Sequence, residues 1–270
     1  MPRRYLALLL VLLCLLSACG AEKPVEESAE PVWSDPVPQN EYDAQAFAVA
    51  EGFLTYTGGY SAVGVDVSSH QGEVDWEQVA AAGVEFAMIR AGYRGYTEGG
   101  LFEDPCFRAN MEGALAAGLG VGVYFFSQAV DEEEALEEAE FVLSLLEGYE
   151  LTYPVVFDWE RQSKEGSRTL HTDGETMTLC TIAFCRRVEA AGYIPMVYFS
   201  PSKGYGELDL ERLMEWPFWL AHYTPDWEPT SFRYHFHIWQ YDSAGSVPGI
   251  EGHVDLDLCL TDFSFWNAEK

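Results

Sequence analysis

The stretch Pro154-Val155-Val156-Phe157-Asp158-Trp159-Glu160 is a short apolar run that ends in two acids. Four consecutive apolar residues, rich in β-branched and aromatic side chains, read as a strand buried on both faces. Outward from it the same kind of run recurs at 62–67, 86–91 and 120–127 on one side and at 195–200 on the other. Between these runs lie helix-like segments at 75–82, 107–117, 131–146 and 173–191. The third is the clearest: Ala135, Ala139, Val142 and Leu146 form one stripe opposite a Glu-rich face, and its acidic start suits a helix N-terminus. Gly83, Gly118 and Gly192 stand where helices are expected to stop. Three further strands, at 218–223, 236–241 and 254–260, follow without long helices between them. Strands alternating with helices predict an α/β fold, an irregular TIM-like barrel whose last part departs from the repeat. The alternative is an open doubly wound sheet, but no GxGxxG follows the first strand.

On a parallel barrel the chemistry sits at the strand ends. Four acids fall there or in the last strand: Asp66, Asp158, Glu160 and Asp255. Residues i and i+2 of an extended strand point the same way, about 6.6 Å apart along the chain. Asp158 and Glu160 are therefore expected to face one pocket. Carboxyls crowded together raise one another's pKa, so one of them can keep a proton near neutrality and act as general acid. Paired acids of that kind are the equipment for cleaving a glycosidic bond. The bland reading of a lone Asp-x-Glu is a solvated strand end; four acids among abundant aromatics favour the catalytic one.

Several motifs then carry a family resemblance. Gly64-Val65-Asp66-Val67-Ser68-Ser69-His70-Gln71-Gly72 with Val74-Asp75-Trp76 resembles the opening of the glycoside hydrolase family 25 lysozymes. So do Ile89-Arg90-Ala91-Gly92-Tyr93, Tyr124-Phe125-Phe126, the 154–160 stretch, Trp219-Leu220-Ala221-His222-Tyr223, Trp239-Gln240-Tyr241 and Val254-Asp255-Leu256-Asp257, in the family's order. The resemblance implies a (β/α)5(β)3 barrel over residues 61–270 and N-acetylmuramidase activity, hydrolysis of the β-1,4 bond between N-acetylmuramic acid and N-acetylglucosamine in peptidoglycan. It implies that Asp66, Asp158, Glu160 and Asp255 are the site acids. Glu160 would protonate the leaving oxygen, and Asp158 would steady the anomeric centre or orient the 2-acetamido group. Tyr93, Tyr124, Tyr198, Trp219, Tyr223 and Gln240 sit in matching motifs and are expected to bind the sugars. Retention through the acetamido oxygen and inversion through an activated water both stay open at this level.

The N-terminus has a different character. Arg3 and Arg4, an apolar run from Leu6 to Leu16 and the small residues that follow form an export signal over residues 1–18. Leu16-Ser17-Ala18-Cys19 resembles a bacterial lipobox, in which Cys19 becomes the lipid-bearing first residue; an ordinary cleaved signal is the alternative. Residues 19–60 begin acidic and proline-studded and are expected to be a tether between lipid and domain. This places the protein on the outer face of the cytoplasmic membrane, held there through the lipid on Cys19 alone.

Fifteen Lys and Arg against 44 Asp and Glu leave a formal charge of −29, which disfavours nucleic acid and anionic membrane surfaces as partners. Cys106, Cys180, Cys185 and Cys259 show no CxxC spacing, and the histidines show no HExxH. No metal or other cofactor is expected, and nothing demands an oligomer; the expected partner is the peptidoglycan glycan strand. The rival readings are a non-catalytic peptidoglycan-binding barrel, an endo-N-acetylglucosaminidase or chitinase of similar barrel, and a metal-dependent deacetylase.

Overall fold

The computed structural model describes residues 35–268. The export signal, Cys19 and the tether as far as residue 34 lie outside the described residues. In chain order the elements are β1 (Phe47–Ala50), β2 (Phe53–Tyr56), β3 (Ala62–Val67), α1 (Trp76–Ala81), β4 (Phe86–Arg94), β5 (Leu101–Glu103), α2 (Phe107–Ala116), β6 (Gly120–Ser127) and α3 (Glu132–Leu145). They continue with β7 (Val155–Trp159), α4 (Gly174–Ala190), β8 (Pro195–Phe199), α5 (Pro201–Gly206), α6 (Leu210–Leu213), β9 (Phe218–Ala221), β10 (Ile238–Gly245) and β11 (Val254–Cys259).

Eight of these strands close a barrel in the order β3-β11-β10-β9-β8-β7-β6-β4, with β4 returning to β3 and β5 appended at the edge of β4. Neighbours from β3 through β4, β6, β7, β8 and β9 to β10 run parallel. Strand β11 runs antiparallel to both β10 and β3. This is the (β/α)5(β)3 arrangement: five strand–helix units, then three strands. The reversal of β11 explains how an acid inside the last strand joins the others. Asp255 lies at the start of its strand, not the end, and reaches the same rim as Asp66 because β11 runs the other way; the two are register partners.

Aspartate side chains start α1, α3 and α4. Asp75, Asp131 and Asp173 each accept a hydrogen bond from the backbone N–H three residues on, which satisfies an otherwise orphaned donor. Alternation along the strands then sorts side chains into two cores. Outward residues such as Val65, Ile89, Val123, Phe157 and Val197 pack beneath the helices, against Val79, Met111, Ala139 and Phe184. Inward residues Phe86, Met88, Val156, Met196 and Ile238 fill the barrel floor. Gly64 belongs to that floor by necessity: a Cβ there would stand 2.2 Å from the Phe86 ring.

The tether expected over 19–60 is too long. Folded structure begins at Pro36. Strands β1 and β2 form a hairpin turned by Glu51 and Gly52, both at positive φ, the conformation of a tight primed turn. Phe53, Leu54 and Tyr56 are buried, the Tyr241 hydroxyl accepts from the Leu54 N–H, and the Tyr42 hydroxyl donates to the Phe236 carbonyl. The apolar content of this hairpin is enough to dock it on the barrel, although the acidic, proline-rich segment before it obscures the pattern.

Candidate active site

Register carries the inward side chains of the strand ends to one level. Asp66 is paired with Asp255, Phe126 with Asp158, Asp158 with Tyr198, and Tyr198 with Trp219. Above the floor they enclose a cleft of about 280 Å³. Asp66, Asp158, Glu160 and Asp255 line it together with Tyr124, Tyr198, Trp219, Tyr223 and Gln240. Tyr93 stands apart from the cleft: its ring stacks on Phe102 at 5.4 Å, with the Arg90 guanidinium 5.6 Å away on the ring. Trp219 is fully buried and serves the site from below, its indole N–H donating to Asp257 at 2.8 Å. Tyr223 is half exposed at the rim.

One polar network holds Asp66. The Gln240 amide donates to Asp66 at 2.6 Å, while its oxygen accepts from the Tyr223 and Tyr198 hydroxyls at 2.6 and 3.0 Å. Burial pushes the Asp66 carboxyl well above its ordinary range, and the Asp255 and Asp257 charges add to this. Asp257, two residues along β11 from Asp255, is entirely buried. Burial also raises its pKa strongly, with the Asp255 charge adding and the Trp219 hydrogen bond opposing. Asp255 is pushed up to about 6 by burial, with Asp242 adding to the effect.

The second pair is Asp158 and Glu160. Burial raises both; the Glu160 charge raises Asp158 further, and Arg90 and Lys203 pull it back. Lys203 alone pulls Glu160 back. Asp158 Oδ1 is buried with no protein partner, so one lone-pair face of this carboxyl is left for whatever enters the cleft.

Three cleft residues were absent from the sequence-derived set: Arg90, His70 and Phe126. Arg90 is held by Asp104, Nε to Oδ2 at 2.8 Å, and by the Ser69 hydroxyl at 3.1 Å. Its signal was available: in Phe86-Ala87-Met88-Ile89-Arg90 every second residue faces inward, so an arginine interrupts an apolar barrel face. Asp257 also supports the site, from beneath Trp219; its i, i+2 spacing from Asp255 is its signal. The histidines at 235 and 237 precede β10 and pack edge to face on each other at 4.7 Å. Among the described residues no three His, Cys, Asp or Glu side chains form a metal-holding group, and Cys106, Cys180, Cys185 and Cys259 are free thiols.

A closed α/β barrel with crowded acids and aromatic rings at the C-terminal rim of its parallel strands is the architecture of a glycoside hydrolase. The family model of glycosyl hydrolases family 25 matches residues 65–250. The uncharacterised protein YegX of Escherichia coli K12 is 30% identical over 209 residues, covering 74% of this chain and 70% of YegX. Lysozyme M1 of Streptomyces globisporus is 28% identical over 204 residues, 71% of this chain and 65% of that protein. Among solved structures the modular autolysin LytC of Streptococcus pneumoniae superposes with a TM-score of 0.67 at 24% identity over 79% of this chain; the chain spans 52% of LytC. The chain belongs to glycosyl hydrolase family 25 and is an enzyme of that class.

Proposed function

We propose that this enzyme is a peptidoglycan hydrolase that cuts the β-1,4 bond between N-acetylmuramic acid and N-acetylglucosamine. Glu160 gives its proton to the leaving oxygen, and Asp158 stabilises the positive charge at the anomeric carbon or orients the 2-acetamido group. The observation that carries this reading is the common cleft: the Asp158 and Glu160 carboxyls share it, both with raised pKa and one with an unpartnered oxygen. Two carboxyls crowded in one cleft disfavour double ionisation. Arg90 and Lys203 face Asp158 and favour its ionised form against burial and the Glu160 charge; the role assigned here to Glu160 requires that it carry the proton when sugar fills the cleft. Asp66 and Asp255, with Gln240, Tyr198 and Tyr223, hydrogen-bond the sugar, and Tyr124 and Tyr223 offer ring faces. Lysozyme M1 supports the substrate class by its name alone.

The bond is tested by digesting purified cell wall, reducing the products with borohydride and weighing them. N-acetylmuramitol at the new ends supports the assignment. N-acetylglucosaminitol would make the enzyme an endo-N-acetylglucosaminidase, and no new reducing ends would make it a binding barrel. We further propose that lipid on Cys19 holds the enzyme at the outer face of the cytoplasmic membrane. Cys19→Ala is expected to release it from the membrane fraction; unchanged membrane retention would refute the anchor.

A further inference from the structure

The sheet stops one residue short of the proposed general acid. The ladder between β6 and β7 ends with Ser127 opposite Trp159, and Glu160 lies beyond it. A side chain at the end of a strand has no neighbouring backbone to fix its height or direction, so something else must hold it. The residue after Ser127 meets that need. Gln128 is wholly buried, and its side-chain amide donates to the Glu160 carbonyl at 2.6 Å. It thereby continues the β6–β7 pairing by one rung with a side chain in place of a backbone.

The rest of Gln128 is fully engaged. The amide also donates to the Ser127 carbonyl at 2.7 Å, and the amide oxygen accepts from the Thr169 hydroxyl at 2.9 Å. Thr169 is itself fully buried, and its hydroxyl accepts from the Gln162 N–H at 3.0 Å. The Gln128 backbone N–H points to the buried Glu138 carboxylate, which Arg94 clamps at 2.7 Å. The Trp159 side chain also crosses to this segment, its indole N–H donating to the Ala129 carbonyl at 2.8 Å. A neutral amide is the one side chain that gives a donor to a carbonyl and an acceptor to a hydroxyl from a single planar group without burying a charge. None of these contacts reaches the cleft, so catalysis by Gln128 itself is excluded.

We infer that Gln128, oriented by Thr169, is a positioning residue that sets where the Glu160 carboxyl stands over the scissile bond. The inference rests on the proposed role of Glu160 and adds to it a physical requirement: the acid works at the height given by this buried amide. A displacement of about 1 Å at a reacting group is enough to reduce a rate by up to about 10²-fold.

The test compares Gln128→Met, Thr169→Val and Glu160→Gln, singly and with Gln128→Met combined with Glu160→Gln, on soluble peptidoglycan fragments. Gln128→Met is expected to lower kcat by about tenfold or more with KM within about twofold. Thr169→Val, which removes only the hydroxyl that orients the amide, is expected to lower kcat by about threefold, and it decides the question if Gln128→Met does not fold. Both should move the alkaline limb of the kcat–pH profile, because a displaced Glu160 loses the surroundings that hold its proton. In the Glu160→Gln background Gln128→Met should add almost nothing, since both act through one group. A Gln128→Met enzyme with wild-type kcat and pH profile, beside an inactive Glu160→Gln, would overturn the positioning role alone; so would losses that multiply in the double variant. A Glu160→Gln enzyme that keeps its rate would overturn the general-acid reading, and with it the reason to hold Glu160 in place.

Discussion

The floor and the mouth of the barrel are made by the same strands under the same alternation, yet they differ in almost every physical respect. At the floor, Phe86, Met88, Val156, Met196 and Ile238 are fully buried apolar groups packed on one another. At the mouth, the inward positions next along the same strands carry Asp66, Arg90, Asp158, Tyr198 and Gln240. Asp158 and Asp257 each leave one buried oxygen without a donor. Burying ionisable groups that are incompletely paired destabilises a fold, while burying apolar side chains stabilises it. The floor therefore offsets a mouth arranged for chemistry, and the two ends should respond to substitution in opposite ways.

The largest effect belongs to the floor. Phe86→Ala removes the ring that fills the space beside Gly64 and should destabilise by about 3–5 kcal/mol, seen in chemical denaturation, while each folded molecule keeps its kcat. A large loss of kcat per folded molecule would erase the distinction between the two ends. Next is Asp158→Asn at the mouth: activity on cell wall should fall by about 10²-fold or more while Tm rises, because a strained buried carboxyl is removed. If Tm falls, the mouth is not under the electrostatic load described here.

The pH dependence of stability sharpens the comparison. Asp255 has a folded pKa of about 6, above its ordinary value of 3.8, so the folded state binds the proton more tightly than the unfolded chain. Its contribution is most favourable below the unfolded pKa and is lost as pH rises through the folded one. Tm should therefore rise on acidification from neutrality toward pH 5, and Asp255→Asn should flatten that slope. A slope unchanged by the substitution would assign it to other groups. The smallest effect is expected for Asp257→Asn. An amide keeps an acceptor for Trp219 and removes a buried carboxyl whose second oxygen has no donor, so activity should stay within about threefold and Tm should rise slightly. Inactivation of Asp257→Asn would mean that the acid itself is needed.

Much of this was legible in the chain. The four helices that follow the first barrel strands and the eight barrel strands announce themselves by period, because the barrel strands are largely apolar on both faces and α3 shows one clear stripe. The acids were legible because a carboxylate ending an apolar run is conspicuous. The hairpin of β1 and β2 was missed although Glu51-Gly52 between two apolar runs is a turn signal, since the segment before it is acidic and rich in proline. Arg90 and Asp257 became meaningful only once the inward phase of their strands was known. Gln128 could not have been found by pattern: its role depends on the ladder ending at Ser127 and Trp159, and on Thr169 arriving from 41 residues away in sequence. Strand direction was hidden for a similar reason, since apolar alternation reads the same in either sense and only pairing reveals that β11 is reversed.

On the proposed function, the mouth works through a proton held by Glu160. The direct measurement is the initial rate of reducing-end release from purified cell wall by the wild type and by Glu160→Gln, at equal concentrations of folded protein. A loss of about 10²-fold or more, with wall binding retained, is the predicted result. A loss of less than about fivefold would contradict it, because general acid catalysis removed from its donor does not leave so small a deficit.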